Sequence, residues 1–170
     1  RKVGPALAAG STMVAKPAAM TPLTALAFAK LGEEAGVPKG VFNIVTGSAR
    51  EIGAAMTSSS VVRKLSFTGS TEVGVKLYEA CAGTMKKLGL ELGGNAPLLI
   101  FDDADLDTAV ETAMVAKFRN GGQSCIAANR IYVQDGIKDR FLDAYAARVA
   151  GMRAGDGFDE AIDIGPLIDD

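Results

Sequence analysis

Short apolar runs alternate along the chain with longer segments in which apolar residues recur at helical spacing. The short runs predict strands at residues 12–16, 41–45, 64–68, 86–92, 97–101 and 130–133. The longer segments predict helices at residues 21–36, near residue 52, and at residues 71–82, 105–118 and 137–153. Strands that alternate with helices in this way are typical of a parallel sheet with helices on its faces. We therefore expect an α/β protein.

Capping residues mark the starts of two of the predicted helices. Thr21 and Pro22 predict a start in which the threonine caps the helix and the proline takes the first helical position. Four acids surround the start of the helix at 105–118, namely Asp102, Asp103, Asp105 and Asp107. We interpret them as a cap and first-turn acids, which the helix dipole favours. A metal site is the alternative, but no EF-hand glycine and terminal glutamate follow.

A flexible glycine pair, Gly93 and Gly94, separates two predicted strands near the middle of the chain. A chain of 170 residues accommodates one ordinary domain or two small lobes. We therefore expect a boundary at this pair, with one domain at residues 1–92 and the beginning of a second at residues 93–170.

The composition excludes several kinds of site. The chain has no histidine, so it cannot assemble a Ser-His-Asp or Cys-His pair or a histidine-ligated zinc site. Its 18 basic and 20 acidic side chains provide no basic surface for nucleic acid or an anionic membrane. No apolar run approaches the length of a membrane span, and Cys81 and Cys125 form no CxxC pair. We expect a cytoplasmic protein with no nucleic-acid or membrane partner and no metal.

Two segments have residues that suit phosphate binding. A strand meets a helix at Gly69 and Ser70, where free N–H groups and a hydroxyl could contact a pyrophosphate. A plain helix cap is the alternative, because the glycine spacing is not GxGxxG. Lys16 follows the first strand, where it could donate to ribose or phosphate oxygens; a solvated lysine is equally compatible with its position.

A cysteine and a glutamate are the candidates for catalysis. Cys125 ends a glycine-rich polar loop, an unusual place for a core residue, so we weigh a nucleophile against a small buried hydrophobe. Cys81 lies in an apolar helix and is predicted to fill the core. Glu91 lies where a strand would place an apolar residue; burial would raise its pKa and suit it to general-base work. A glutamate at an exposed sheet edge is the alternative.

Four motifs occur in one order along the chain: Lys16-Pro17, Phe67-Thr-Gly-Ser-Thr-Glu-Val-Gly74, Glu91-Leu-Gly-Gly-Asn95-Ala-Pro and Gly-Gln-Ser-Cys125. Together they resemble the aldehyde dehydrogenase superfamily, and the longer stretches are most similar to its succinate-semialdehyde dehydrogenases. The resemblance implies a Rossmann-like, doubly wound parallel sheet in the cofactor domain, followed by the start of an α/β catalytic domain. It covers the whole chain but only the middle third of a family subunit, which implies a fragment.

The resemblance also implies the chemistry and the cofactor. The Cys125 thiolate attacks the aldehyde, hydride passes to a nicotinamide, and Glu91 activates the water that hydrolyses the thioester. Nine residues would contact the cofactor: Lys16, Pro17, Ala18, Ala19, Gly47, Thr68, Gly69, Ser70 and Leu92. Many NAD-preferring relatives have a glutamate at the position of Ala19. Because alanine leaves room for a 2′-phosphate beside Lys16, the resemblance favours NADP, with NAD as the alternative.

Two arginines bear on the substrate. Arg119 lies six residues before Cys125, at a position that is often aromatic in the family, and offers a guanidinium fork to a carboxylate. Arg1 resembles the second carboxylate-binding arginine of succinate-semialdehyde dehydrogenases. The implied substrate is succinate semialdehyde, which is oxidised to succinate. Glutarate semialdehyde or another aldehyde remains open, because a pocket discriminates poorly over one methylene.

Departures from the family pattern limit what the chain can do alone. Ala127 replaces a second cysteine found in some relatives, so we expect no disulfide switch. The family's oxyanion-hole asparagine falls before Arg1 and its nicotinamide-ribose glutamate after Asp170, so we expect an isolated fragment to be nearly inactive. The parent protein is expected to be a homo-oligomer, a dimer or tetramer.

Two further functions compete with an aldehyde dehydrogenase. A nucleotide-binding module without catalysis is one alternative, although intact Cys125 and Glu91 argue against lost turnover. A reductase of acyl phosphates or acyl thioesters is the other. Glu91 argues against it, because a deacylating base would waste the thioester as free acid.

Overall fold

Helices and strands alternate through residues 1–169, the part of the chain that the computed structural model describes. The helices are α1 (Val3–Ala8), α2 (Leu23–Glu34), α3 (Ala49–Ser58), α4 (Thr71–Ala82), α5 (Leu106–Phe118) and α6 (Asp135–Ala150). The strands are β1 (Met13–Ala15), β2 (Phe42–Ile44), β3 (Lys64–Thr68), β4 (Lys87–Glu91), β5 (Ala96–Ile100) and β6 (Ala128–Val133). Each predicted strand and helix is present to within a few residues. Within these residues, α1 and a short 3-10 turn at Arg119–Gly122 were not predicted.

All strand ladders are parallel, which confirms the α/β class. The chain divides into two compact units, Arg1–Glu91 and Leu92–Asp170. This division falls within one residue of the expected boundary. The roles of the two units as cofactor and catalytic domains stay predictions.

The first unit has two parallel ladders. Strand β1 pairs with β2, with Met13 opposite Phe42. Strand β3 pairs with β4, with Thr68 opposite Glu91. Within the described residues no ladder joins the two pairs. Strands β1 and β2 have only three residues each, so they present few backbone groups to a further neighbour.

The second unit is built on the parallel pair β5 and β6. The side chains of β5 alternate, so that Ile100 is buried while Leu99 and Phe101 are exposed. Helices α5 and α6 pack together with this pair, and the core of the unit consists of Ile100, Val110, Ala113, Met114, Ile137 and Phe141. Phe141 stacks on Tyr145 with ring centroids 5.4 Å apart. Partial burial of the phenol raises the pKa of Tyr145.

Side-chain caps begin three of the helices. Ser48, Ser70 and Asp105 accept hydrogen bonds from the backbone N–H three residues ahead, at the starts of α3, α4 and α5. The prediction that acids cap α5 is therefore confirmed for Asp105. The side chain of Thr108, and then its backbone N–H, lower the pKa of the Asp105 carboxyl group by hydrogen bonding.

The predicted threonine cap of α2 is wrong by one residue. Pro22 takes the N-cap position, and its carbonyl accepts the first helical hydrogen bond from Leu26 at 3.1 Å. Thr21 therefore lies one residue too early to cap the helix. None of the helices in residues 1–169 combines the length and apolar composition needed to cross a bilayer.

Candidate functional site

Most of the predicted cofactor and catalytic residues of the first unit lie where its strands end. Lys16 directly follows β1, Gly47 lies between β2 and α3, Thr68 ends β3 and Glu91 ends β4. Gly47 has a φ of 139°, a conformation that glycine adopts without strain. Ligands of open α/β sheets bind outside the carboxyl ends of the strands. This placement is therefore the one that a nucleotide site requires.

The structure brings the turn after β3 together with Glu91. The Gly69 N–H donates to the Glu91 carbonyl at 3.0 Å, which extends the ladder by one bond beyond Thr68. A Cβ at Gly69 would collide with the ring of Phe67, so the glycine makes room for that ring. The predicted base and the predicted pyrophosphate turn thus share one end of the β3–β4 pair.

Ser70 caps helix α4, which is the alternative that the sequence offered to phosphate binding. Its Oγ accepts the N–H of Val73 at 3.3 Å. The N–H groups of Thr71 and Glu72 have no acceptor among residues 1–169, because the helix supplies none at its first turn. The Ser70 hydroxyl can still donate, so capping and phosphate binding are compatible at this turn.

Lys2 is a residue that sequence reasoning missed. Its Nζ donates to Thr68 Oγ1 at 2.5 Å, so the start of α1 is tied to the end of β3. The two residues are 66 positions apart. No periodic or motif signal marks Lys2 in the sequence, and only the fold could identify this contact.

The structure decides between the two interpretations of the Glu91 side chain, buried or at an exposed sheet edge. Glu91 is the last residue of β4, and its side chain is exposed. The alternative, a glutamate at an exposed sheet edge, is what the structure has. Its position is terminal, because Glu91 lies opposite Thr68 in the last pair of the β3–β4 ladder.

The cysteine-bearing segment begins with a left-handed turn. Asn120, Gly121 and Gly122 have φ angles of 56°, 63° and 76°. Glycine adopts such angles readily and asparagine tolerates them, which explains the residue types at this point. The chain then continues to an exposed Cys125, as its polar loop predicted.

Cys125 occupies the first central position of a β-turn. The Ala127 N–H donates to the Ser124 carbonyl at 3.0 Å, which closes the turn. The Cys125 N–H donates to no acceptor in the described part of the chain, so it is free to receive an external oxygen. Cys81, by contrast, is 1% exposed in α4, which confirms that it fills the core.

Two side-chain contacts of the second unit, made by Arg130 and Lys117, were also missed by sequence reasoning. Arg130 donates from Nε and Nη2 to the Asn95 carbonyl, at 3.1 and 2.8 Å. Lys117 donates from Nζ to Asn129 Oδ1 at 2.7 Å. The donors lie 35 and 12 positions from their acceptors, so neither pair shows in local patterns.

The two candidate substrate arginines are both exposed. Arg119 follows the last residue of α5, and its guanidinium makes no hydrogen bond or ion pair within residues 1–169. It is therefore available to an external carboxylate. Arg1 is exposed at the first position of the other unit.

The first unit has hydrogen-bond donors that suit the phosphate groups of a dinucleotide. Lys16 is half-buried after β1, and the free N–H groups of α4 lie after β3. Ala19 is exposed and carries no carboxylate, so nothing acidic stands at that position. Pro17 and Ala18 continue the same segment, whereas Leu92 falls in the second unit.

Comparison with known proteins covers all of the chain. The aldehyde dehydrogenase family model matches residues 1–170. The NADP(+) succinate-semialdehyde dehydrogenase of Escherichia coli K12 is 61% identical over 170 residues, 100% of this chain and 35% of that protein. The glutarate-semialdehyde dehydrogenase of Pseudomonas aeruginosa is 60% identical over 169 residues, 99% of this chain and 35% of that protein.

The solved structures agree with the fold. The crystal structure of an E. coli NADP-dependent enzyme matches with a TM-score of 0.96 and 61% identity, over 99% of this chain and 35% of that one. A succinate-semialdehyde dehydrogenase from Burkholderia pseudomallei matches with a TM-score of 0.96 and 54% identity, with the same coverage. The chain thus spans about a third of the length of these relatives. On its motifs, its fold and these matches, the chain belongs to the aldehyde dehydrogenase family.

Proposed function

We propose that the full-length protein oxidises succinate semialdehyde to succinate with NADP, through a thioester on Cys125. The proposal for the substrate rests on Arg119. Its guanidinium is exposed, has no partner in the described residues, and lies six positions before the exposed cysteine. A guanidinium binds a carboxylate with two parallel hydrogen bonds, and an aldehyde with a remote acid group offers that carboxylate. The similarity to succinate-semialdehyde dehydrogenases supports the same substrate.

In the first step the Cys125 thiolate attacks the aldehyde carbon. The carbonyl π-electrons move to oxygen, and the free Cys125 N–H supplies a donor for the developing oxyanion. A nicotinamide cofactor, when bound, would supply the acceptor for the hydride that the carbon loses on oxidation. Cys125 is left in a thioester bond to the acyl group.

In the second step a water molecule hydrolyses the thioester. Glu91 accepts a proton from this water as the water attacks the acyl carbon, and the Cys125 thiolate leaves. The products are the carboxylic acid and the free thiolate.

The cofactor preference rests on Ala19. A carboxylate at this position would hold the ribose hydroxyls of NAD and repel a 2′-phosphate, whereas the methyl group of alanine does neither. Lys16, three residues earlier, supplies a positive charge that suits the phosphate. We therefore propose NADP, with NAD as the weaker alternative.

Glutarate semialdehyde is the second candidate substrate. It has the same terminal carboxylate and one more methylene, and a relative named for it is 60% identical to this chain. One methylene changes binding by about 1 to 3 kcal/mol, so a single protein can accept both substrates. Other aldehydes, a non-catalytic nucleotide-binding role and reduction of acyl phosphates or thioesters are the remaining alternatives.

The test is steady-state oxidation of succinate semialdehyde and of uncharged butanal by the full-length protein, wild type and Arg119→Leu. A lost charged hydrogen bond should lower kcat/KM for succinate semialdehyde about tenfold to a hundredfold and leave butanal unchanged. Arg140→Leu, an exposed arginine on α6, is the matched control. If Arg119→Leu has the same kcat/KM as the wild type for both aldehydes, Arg119 does not bind the carboxylate. If no aldehyde is oxidised at all, the nucleotide-binding alternative takes its place.

The proposal extends to the compartment and the assembly of the full-length protein. An exposed nucleophilic thiol such as Cys125 stays reduced in the cytoplasm, which we propose as the location. The family resemblance supports a homo-oligomer, a dimer or tetramer, with a small-molecule semialdehyde as its other partner. Light scattering on the full-length protein measures the assembly.

A further inference from the structure

The loop before β5 lies directly against the turn that carries Cys125. A Cβ built on Gly94 would lie 2.6 Å from the Cys125 carbonyl oxygen. Ordinary contacts of a Cβ begin at 3.4 Å, so any side chain at position 94 would force the two backbones apart. The backbone of this loop and the peptide of the nucleophile therefore define each other's position.

Arg130 holds this loop from the neighbouring strand. Its Nε and Nη2 both donate to the Asn95 carbonyl, one residue after Gly94. The guanidinium carbon lies 6.0 Å from the ring centroid of Tyr132, within the range of a cation–π contact. Both hydrogen bonds are exposed to solvent, which screens the charge, so they position the carbonyl by their paired geometry and add little to the stability of the fold.

The pairing of β5 with β6 explains why the start of β5 needs a side chain to hold it. Ala96 lies opposite Ala128 and Pro97 opposite Arg130, so β6 has one extra residue, Asn129, at a bulge. Pro97 has no N–H to donate to the ladder. The start of β5 is therefore weakly paired by its backbone, and the guanidinium supplies hydrogen bonds that the ladder lacks.

We propose that Arg130 is a positioning residue for the nucleophile. Through the Asn95 carbonyl it holds Gly94 against the Cys125 carbonyl. The carbonyl and the N–H of Cys125 flank the same Cα, so fixing one limits the direction of the other. That N–H is the donor that the proposed function assigns to the oxyanion. Arg130 itself acts through the loop and touches no reacting atom.

The activity test rests on the proposed function and uses the full-length protein. Arg130→Met removes the donors but keeps a long side chain, Arg130→Lys keeps a charged donor, and Arg140→Met is the control. We expect Arg130→Met to lower kcat about tenfold to a hundredfold, because a nucleophile displaced by ~1 Å loses that much. KM for the aldehyde and the unfolding temperature should not change, and Arg130→Lys should recover part of kcat.

A second measurement does not depend on the substrate. Hydrogen exchange of the peptide that contains the Ala127 amide reports whether the cysteine turn stays closed, since that amide closes it. Exchange should be faster in Arg130→Met than in the wild type or Arg140→Met. If the wild type oxidises no semialdehyde, the proposed function fails and exchange alone decides the role of Arg130. Unchanged exchange, or kcat within about twofold of the Arg140→Met control, would overturn the role.

Discussion

Replacing Gly94 with alanine tests how closely the loop before β5 and the nucleophile depend on each other. The new Cβ would stand 2.6 Å from the Cys125 carbonyl oxygen, and ordinary contact requires at least 3.4 Å. One of the two backbone segments must therefore move by about 0.8 Å, the difference between these two distances. The contacting atom is a backbone oxygen, so no flexible side chain can absorb the change.

A displacement of that size at the nucleophile affects turnover more than binding. A shift of ~1 Å in a reacting group can cost about a hundredfold in rate, so we expect kcat to fall about tenfold to a hundredfold. KM should change little, because the carboxylate contact proposed for Arg119 does not involve this loop. A burst of reduced nicotinamide in single-turnover experiments would show whether the attack by Cys125 is the step that slows.

Gly157→Ala is the matched control for this substitution. It lies in the same unit, has no atom within 4 Å of the added Cβ and has an ordinary φ. It should leave kcat unchanged. A Gly94→Ala protein that keeps the unfolding temperature and the kcat of Gly157→Ala would refute the argument, because the backbone contact would then carry no functional constraint.

Three further predictions concern stability and cofactor choice. Phe141→Ala should lower the free energy of unfolding by about 3 to 5 kcal/mol in urea denaturation, since Phe141 is 1% exposed in the core; Leu142→Ala, at a half-exposed neighbour, should cost much less. Asp105→Ala should destabilise α5 at neutral pH. The folded pKa of Asp105 lies below its usual 3.8, so this contribution is present above that value, and the difference from wild type in thermal unfolding should fade as the pH falls through the folded pKa. Ala19→Glu should shift the ratio of kcat/KM values from NADP toward NAD, and an unchanged ratio would remove Ala19 from the cofactor argument.

Local patterns predicted most of the elements and the acidic cap of α5, but misplaced the cap of α2 by one residue. The helix α4 and the strand β3 have the predicted bounds, because a period of two or of 3.6 residues and a capping serine are local properties. Helix α1 escaped prediction because it has only six residues, among them Gly4 and Pro5. Its pattern is too short to show a period.

The motifs named the candidate site residues, and their surroundings came only from the structure. Cys125 is exposed on a turn, and Glu91 ends its strand. The sequence left the burial of Glu91 open, because burial depends on which elements cover a strand end. The placement of these residues in a reaction stays a proposal that kinetics must test.

The amino-acid sequence by itself determined the α/β class, the order of the elements and the family, since periodicity, caps and motifs are all read along the chain. The tertiary structure alone decided which distant groups meet. Lys2 reaches Thr68 across 66 positions, and Arg130 reaches the Asn95 carbonyl across 35. Such contacts depend on how parallel strands are paired and where a ladder is interrupted, and a linear pattern carries no measure of either.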